Sequence, residues 1–194
     1  MSKTRAREIK LLLFDVDGVM TDGKLWIVPY PAPAKPAMAG LPAVLGRIEA
    51  KGFHAHDGIG ISLARLGGLK TGLITKRISE TVAVRARDLK LEYAYQGVTA
   101  KGRVFDEILQ KEKITAAEAA YMGDDIIDLP VMRRCGFAIA PANARDEVKT
   151  EAHWVTPHAG GDGAVRDAVE YILKAQGRWD TVVEKYLERA DGTQ

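Results

Sequence analysis

The stretch IKLLLFDVDGVMTDG, residues 9–23, decides the fold. Its first part, Ile9–Phe14, is an apolar run with a single charged residue, which is typical of a strand buried on both faces. Two carboxylates, Asp15 and Asp17, follow directly, and Gly18 then favours a turn. The stretch therefore predicts a buried strand of a parallel sheet that ends in a pair of acidic side chains.

The rest of the chain alternates short apolar runs with longer segments of helical period. Further strands are predicted at Leu69–Thr75, Ala119–Met122, Phe137–Ala140 and His153–Val155. Helices are predicted at Ile59–Leu66, Ser79–Leu89, Lys101–Lys111, Asp128–Arg134, Ala164–Ala175 and Trp179–Glu188. An alternation of strand and helix repeated about five times predicts an α/β fold, with a Rossmann-like parallel sheet and helices on both faces. In such a sheet the active site lies at the carboxyl ends of the strands.

A proline-rich stretch interrupts this alternation. Val28–Pro42 holds five of the eight prolines, and no central strand or helix is expected there because proline fixes φ and lacks a donor. Leu25–Val28 and Arg47–His54 on either side suit the arms of a long β-hairpin. We expect one domain over residues 1–194, with a hairpin and its proline-rich insertion at about 22–56 and a C-terminal tail at about 177–194.

Composition excludes several classes of function. The 194 residues are 46% hydrophobic and 28% charged, with a formal net charge of +2, which excludes a disordered chain. The basic residues form no dense block and no aromatic platform lies among them, so no nucleic-acid partner is expected. The uncharged stretches are too short to span a membrane. The single cysteine, Cys135, cannot form an intrachain disulfide and is expected to be a small buried hydrophobe. We expect a cytoplasmic protein with no membrane partner.

Asp15 and Asp17 are separated by one residue at the exit of the first strand. If the strand ended regularly, both side chains would point the same way and repel each other. A hard divalent cation such as Mg²⁺ would relieve that repulsion through oxygen ligands. The pair would also suit a nucleophile beside an acid/base group. On this stretch alone, an Asp-rich turn that closes the strand is an equal alternative.

A second acidic cluster, GDDIID at residues 123–128, follows the predicted strand Ala119–Met122. Asp124 and Asp128 are four residues apart and share one helical face if a helix begins there. The alternative is that these carboxylates cap the helix through its dipole. Two strands of one sheet that both end in aspartates favour a convergent metal site over two separate caps.

Cations and a hydroxyl group follow the remaining strand ends. Thr75, Lys76 and Arg77 end the strand that begins at Leu69, and Lys101 opens a predicted helix. Such groups hold phosphate oxygens, although Lys76 and Lys101 taken singly also suit solvated surface charges. Acidic residues for a metal, combined with cations for a dianion, suit phosphoryl transfer.

With these residues the chain resembles the haloacid dehalogenase-type phosphatases. The DxD motif at Asp15 and Asp17, the threonine Thr75, the lysine Lys101 and the GDDxxD run match the four motifs of that family. The likeness is closer to the small cap-less branch that includes 3-deoxy-D-manno-octulosonate 8-phosphate phosphatase. It rests on FDVDGVMTDG (14–23), HDGIGI (56–61), YQG (95–97), GDDIIDLPVM (123–132) and GGDGAVRDAVEYILKAQG (160–177).

The resemblance implies a Mg²⁺-dependent phosphomonoesterase that forms an aspartyl-phosphate on Asp15. Asp17 would protonate the leaving oxygen and then activate water, while Thr75 and Lys101 would contact the transferring phosphoryl group. The metal would be held by the Asp15 carboxylate, the Asp17 backbone carbonyl and Asp124, with Asp125 and Asp128 in support. The implied substrate-binding residues are Asp17, His56, Asp57, Gly58, Thr75, Arg77, Arg85 and Lys101.

The implied substrate is 3-deoxy-D-manno-octulosonate 8-phosphate, an intermediate of lipopolysaccharide biosynthesis, which would yield the free sugar acid and phosphate. The resemblance also implies a homotetramer, in which a β-hairpin in place of a cap domain and the C-terminal tail complete a neighbour's active site. Lys76 and Asp162 depart from the branch, which usually has Gly and Arg there, and the proline-rich insertion departs too. A nonulosonate 9-phosphate or another sugar phosphate is therefore an alternative substrate. An alternative that is not an enzyme is a non-catalytic tetramerisation module, but nothing in that role requires a cluster of aspartates that repel one another.

Overall fold

The computed structural model describes residues 2–31 and 45–190, and the following statements concern those residues. The strands of the main sheet are β1 (Leu11–Phe14), β4 (Lys70–Ile74), β5 (Tyr93–Tyr95), β6 (Ala119–Met122), β7 (Phe137–Ala140) and β8 (Trp154–Val155). They are all parallel and lie in the order β5-β4-β1-β6-β7-β8. Two further strands, β2 (Trp26–Pro31) and β3 (Leu45–Ala50), pair with each other as an antiparallel hairpin.

Helices cover both faces of this sheet. They are α1 (Ser2–Arg7), α2 (Ala55–Leu66), α3 (Glu80–Asp88), α4 (Lys101–Glu112), α5 (Leu129–Met132), α6 (Asp146–Glu151), α7 (Ala164–Ala175) and α8 (Trp179–Ala190). Alternate residues of β1 enter two separate cores: Leu12 and Phe14 pack with α2 and α7, whereas Leu11 and Leu13 pack with α4 and α6. The predicted α/β fold, with a parallel sheet between two layers of helices, is confirmed.

The register of the central strands brings the two acidic motifs to one edge. Phe14 at the end of β1 pairs with Met122 at the end of β6, and the N–H of Asp15 donates to the carbonyl of Met122 at 2.9 Å. The residues after both strands therefore leave the sheet side by side. This confirms the predicted convergence at the carboxyl ends of the strands.

The hairpin differs from its prediction. β2 continues through Pro29 to Pro31, because each strand of a two-stranded ribbon is an edge and needs backbone donors on one side only. β3 ends at Ala50 rather than at His54. The middle of the predicted insertion, residues 32–44, lies outside the described residues. The predicted extent of the domain and of its tail remains a prediction.

Three elements were absent from the sequence prediction. They are α1, β5 and α6, which are six, three and six residues long. α1 and α6 each bury a single side chain, Ala6 and Val148 respectively, so neither has a periodic apolar face for a sequence pattern to show. Cys135 is 5% exposed, in agreement with its prediction as a buried hydrophobe. Among the described residues, no helix has both the length and the apolarity to cross a membrane.

Candidate active site

Three carboxylates meet at the carboxyl edge of the sheet. Asp15 follows β1, and Asp124 and Asp128 follow β6. One oxygen atom from each lies within 4.8 Å of the others. Asp15 and Asp128 are buried, at 4% and 0% exposed. Such a cluster needs cations, because like charges at this separation repel strongly in a buried site.

Lys101 supplies one cation to the cluster. It is the first residue of α4 and is 3% exposed. Its Nζ atom lies 3.0 Å from Asp15 Oδ1 and 2.7 Å from Asp128 Oδ1. When ionised, the three carboxylates of the cluster and this one ammonium leave a net charge of −2. That charge suits a hard divalent cation with oxygen ligands.

The raised pKa values of two of these carboxyl groups reflect the same excess of negative charge. Burial, together with the negative charges of Asp128 and Asp15, raises the pKa of Asp124 to about 7. Burial and the charge of Asp128 raise the pKa of Asp15 to about 6, against the opposing effect of Lys101. Asp124 Oδ1 is buried and has no hydrogen-bond partner among the described residues. These oxygens fit a bound metal ion, which would supply the missing positive charge.

A tight turn, and not a helix face, brings Asp124 and Asp128 together. The Asp128 carboxylate accepts hydrogen bonds from the N–H groups of Asp124 and Asp125, at 3.1 and 3.4 Å. The segment Ile126–Asp128 is a short 3-10 turn, and α5 begins only at Leu129. The predicted helix Asp128–Arg134 is present as α5, from Leu129 to Met132. Asp124 and Asp128 do not share a face of it, because a buried aspartate closes the preceding turn with its own side chain.

Gly18 leaves the space that Asp124 occupies. Its φ is +87°, and a Cβ atom there would lie 2.0 Å from Asp124 Oδ2. The amide of Asn143 fixes this loop: it donates to the carbonyl of Gly18 at 3.0 Å and accepts from the N–H of Gly160 at 2.6 Å. Asn143 belongs to none of the sequence motifs and was not predicted as a site residue.

The carboxylates of Asp15 and Asp17 have different partners. Asp17 lies in the turn after β1, and its carboxylate pairs with the Lys51 ammonium and, at 3.6 Å, with Nε of Arg77.

Lys51 was also not predicted from the sequence, because it lies beside a hairpin with no motif around it. Tyr121, on β6, was missed for another reason: it resembles an ordinary apolar core residue, yet its buried hydroxyl donates to Asp128 Oδ1 at 2.7 Å.

Comparisons with known proteins agree with this geometry. Residues 74–168 match the family model of haloacid dehalogenase-like hydrolases. The chain is 36% identical over 177 residues to 3-deoxy-D-manno-octulosonate 8-phosphate phosphatase of Salmonella typhi, covering 91% of this chain and 86% of the relative. The crystal structure of the Yersinia pestis phosphatase of that name superposes with a TM-score of 0.81 at 34% identity, covering 92% of this chain and 88% of the other.

A third match is the Moraxella catarrhalis phosphatase, solved in complex with a magnesium ion, a phosphate ion and KDO. It superposes with a TM-score of 0.82 at 30% identity, covering 95% of this chain and 97% of the other. The chain belongs to the haloacid dehalogenase-like phosphatases. The resemblance found in the sequence is confirmed, and with it the enzyme class, a phosphatase.

Within this phosphatase, the residues predicted to bind substrate fall into separate groups. Thr75, at 2% exposed, follows β4 directly, and its hydroxyl accepts from the N–H of Arg77 at 3.4 Å. Gly58 lies against Arg85: a Cβ atom at Gly58 would meet a guanidinium nitrogen of Arg85 at 2.9 Å. The Arg85 guanidinium in turn lies 5.5 Å from the ring centroid of Phe53. The absence of a side chain at Gly58 therefore leaves room for the guanidinium group of Arg85.

Asp57 and His56, in the first turn of α2, have different surroundings. Asp57 is 3% exposed, and its Oδ1 accepts from the N–H of Arg166 in the first turn of α7 at 2.9 Å. Burial raises the pKa of Asp57. The Asp57 carboxylate thus joins α2 to α7 through this hydrogen bond. His56 is exposed, and its ring centroid lies 4.7 Å from that of His54.

The two departures from the family pattern lie at the surface. Lys76 and Asp162 are both exposed. A carboxylate oxygen of Asp162 lies 3.9 Å from Nε2 of His54. Both side chains therefore place their charge at the protein surface.

Proposed function

We propose that this phosphatase hydrolyses 3-deoxy-D-manno-octulosonate 8-phosphate with Mg²⁺ as its cofactor. The observation that carries the proposal is the cluster of Asp15, Asp124 and Asp128 with Lys101, whose net charge of −2 matches a divalent cation. The names of the Salmonella typhi and Yersinia pestis relatives supply the substrate. The magnesium ion, phosphate ion and KDO in the Moraxella catarrhalis structure support both the cofactor and the sugar acid.

In this proposal the metal is held by the carboxylates of Asp15 and Asp124 and by the backbone carbonyl of Asp17, with Asp125 and Asp128 in support. When bound, Mg²⁺ neutralises charge on the phosphoryl oxygens and orients them. Lys101 and Thr75 contact the same phosphoryl group. The remaining substrate contacts are assigned to Asp17, His56, Asp57, Gly58, Arg77 and Arg85.

The chemistry proceeds in two displacements. A carboxylate oxygen of Asp15 attacks phosphorus, and the bond from phosphorus to the sugar oxygen breaks while Asp17 protonates that oxygen. Water then attacks the aspartyl-phosphate and gives a proton to Asp17, and the bond from phosphorus to Asp15 breaks. Free sugar acid and inorganic phosphate leave, and Asp15 and Asp17 return to their starting protonation.

A homotetramer is part of the proposal. The start of the hairpin exposes adjacent apolar side chains, with Trp26 60%, Ile27 51% and Val28 53% exposed. Exposed apolar side chains on both faces of a two-stranded hairpin are typical of a segment that a partner subunit covers. Light scattering on the purified chain tests it: a mass of four chains of 21.1 kDa is expected, and a monomer would contradict it. The cytoplasmic location stays a prediction.

Phosphate release from a panel of sugar phosphates, with Mg²⁺ and with EDTA, tests the function. Metal-dependent release that strongly favours the octulosonate ester is expected. Release that favours a nonulosonate 9-phosphate or another ester would keep the chemistry and assign the changed specificity to Lys76, Asp162 and the insertion. No release from any ester would favour the non-catalytic tetramerisation module.

A further inference from the structure

Four charged side chains form a closed ring beside the aspartate cluster. The Lys51 ammonium pairs with Asp17 and lies 3.1 Å from Glu49 Oε1. The Arg77 guanidinium lies 3.0 Å from Glu49 Oε2 and 3.6 Å from Asp17 Oδ2. Cation and anion alternate around the ring, which we call the Asp17 ring. Two positive and two negative charges balance within it.

The Asp17 ring joins three parts of the chain. Asp17 belongs to the turn after β1 and Arg77 to the loop after β4, whereas Glu49 and Lys51 come from the hairpin and the residue that follows it. The hydroxyl of Thr81, on α3, donates to the backbone carbonyl of Glu49 at 3.0 Å. The hairpin is therefore fixed to the body of the protein at the point where it presents Lys51 to Asp17.

Lys51 is the least exposed member of the ring. Its side chain is 0% exposed, against 21% for Asp17, 22% for Glu49 and 40% for Arg77. A buried ammonium group is stable only beside anions, and among the residues that the structure describes its two ion-pair partners are Asp17 and Glu49. Glu49 is thus the anchor that holds the Lys51 ammonium in place, and Asp17 is the group on which that ammonium acts.

We propose that Lys51 is a positioning residue for Asp17. The inference rests on the proposed function, in which Asp17 gives a proton to the leaving sugar oxygen. An aspartate side chain in a turn after a strand has more than one rotamer. The Lys51 ammonium donates to Oδ1 of Asp17 and holds the carboxyl group in one of them, and Oδ2 is then the oxygen that carries the proton. Proton transfer requires the carboxyl within hydrogen-bond distance of the leaving oxygen, so holding Asp17 in place speeds that step. The hairpin thereby takes part in catalysis within its own chain.

The leaving group of the substrate separates this role from a structural one. A sugar alkoxide leaves only with a proton from Asp17, whereas p-nitrophenolate leaves readily without one. In Lys51→Met we expect kcat/KM for the sugar ester, which depends only on the steps up to loss of the leaving group, to fall by about 10- to 100-fold, a part of the roughly 100- to 10,000-fold that general acid catalysis supplies. For p-nitrophenyl phosphate we expect kcat/KM to change less than about threefold, because Asp15 and Lys101 still act on the phosphoryl group and the leaving group needs no proton.

Two further variants make the test decisive. Lys51→Arg keeps a cation beside Asp17 and should recover most of the activity on the sugar ester. Lys24→Met removes an exposed ammonium, 3.0 Å from Asp22, and should leave both activities unchanged. Thermal unfolding of each variant shows whether the fold is retained.

The possible results lead to different conclusions. Equal losses in kcat/KM on the two substrates in Lys51→Met, or no recovery in Lys51→Arg, would overturn the inference and leave the proposed function standing. Wild-type protein that hydrolyses no ester would overturn the proposed function and this inference with it.

Discussion

The Lys101 ammonium and the Asp128 carboxylate form an ion pair at 2.7 Å, with side chains 2% and 0% exposed. The hydroxyl of Tyr121 donates to the same Asp128 oxygen at 2.7 Å and lies 3.3 Å from Lys101 Nζ. Burial and the neighbouring carboxylates raise the pKa of Tyr121 far above its usual value, so its hydroxyl keeps the proton that it donates. Lys101 thus balances the negative charge of Asp128, and Tyr121 gives the same carboxylate a hydrogen bond.

Removal of the Tyr121 hydroxyl should destabilise the protein. Tyr121→Phe keeps the ring but takes one donor from a buried carboxylate, and we expect a loss of about 1–3 kcal/mol in the free energy of unfolding. Urea denaturation measures it. The matched control is Tyr95→Phe, whose hydroxyl bonds to Glu107 in an exposed position at 3.0 Å. A loss in Tyr121→Phe no larger than in Tyr95→Phe would contradict the importance of this hydrogen bond.

Asp15→Asn should abolish turnover without unfolding the protein. An amide is a poor nucleophile, so kcat for any ester should fall on the order of 1,000-fold or more. The fold should be as stable as wild type or more so, because one of the three repelling carboxylates becomes neutral. Phosphate release and thermal unfolding are the measurements, and Asp22→Asn, an exposed residue, is the control. Undiminished activity in Asp15→Asn would exclude the covalent mechanism.

Gly18→Ala should weaken metal binding. The new Cβ would lie 2.0 Å from Asp124 Oδ2, so that the carboxylate has to move. Gly68→Ala is the matched control: its φ is +75°, close to the +87° of Gly18, and its Cβ would meet nothing within 4 Å. Backbone strain should therefore be similar in the two variants. We expect the Mg²⁺ concentration for half-maximal activity to rise about tenfold or more in Gly18→Ala alone, in line with losses on disturbing a metal site's surroundings. An equal rise in both would point to strain instead.

Sequence alone predicted the sheet and its acidic edge because both have strong local patterns. β6 and β7 were predicted with their observed bounds, since fully buried strands show as continuous apolar runs. Asp15, Asp124 and Lys101 were predicted as site residues, and the structure brings them together because parallel strands end at one edge.

Other parts of the site were beyond the reach of the sequence because they depend on tertiary contacts. Lys51 pairs with Asp17 across 34 positions of the chain and through a hairpin whose fold no local pattern fixes. The turn that joins Asp124 to Asp128 depends on a buried side chain that accepts backbone N–H groups, which the same spacing in a helix would not do. β2 continues through two prolines because it belongs to a ribbon, a fact that becomes visible only when its partner strand is known.

The pKa values of the aspartate cluster predict how stability depends on pH. Burial raises the pKa of Asp124 from 3.8 to about 7, and that of Asp15 to about 6. Between pH 3.8 and about 7 the folded protein therefore holds protons that the unfolded chain has already released. Because the state that binds more protons is favoured at low pH, the free energy of unfolding falls as pH rises through this interval.

Metal should weaken or abolish this dependence of stability on pH. With EDTA, the free energy of unfolding should fall between about pH 5 and pH 8, as Asp15 and Asp124 lose their protons in the folded state. With millimolar Mg²⁺ the fall should be smaller or absent, because the ion binds the ionised folded site and not the unfolded chain. Urea denaturation at both pH values, with EDTA and with Mg²⁺, measures the four free energies. Asp124→Asn removes the group with the higher pKa, so its stability in EDTA should vary less with pH than that of wild type. A pH dependence in that variant as steep as in wild type would show that the titrating groups lie elsewhere.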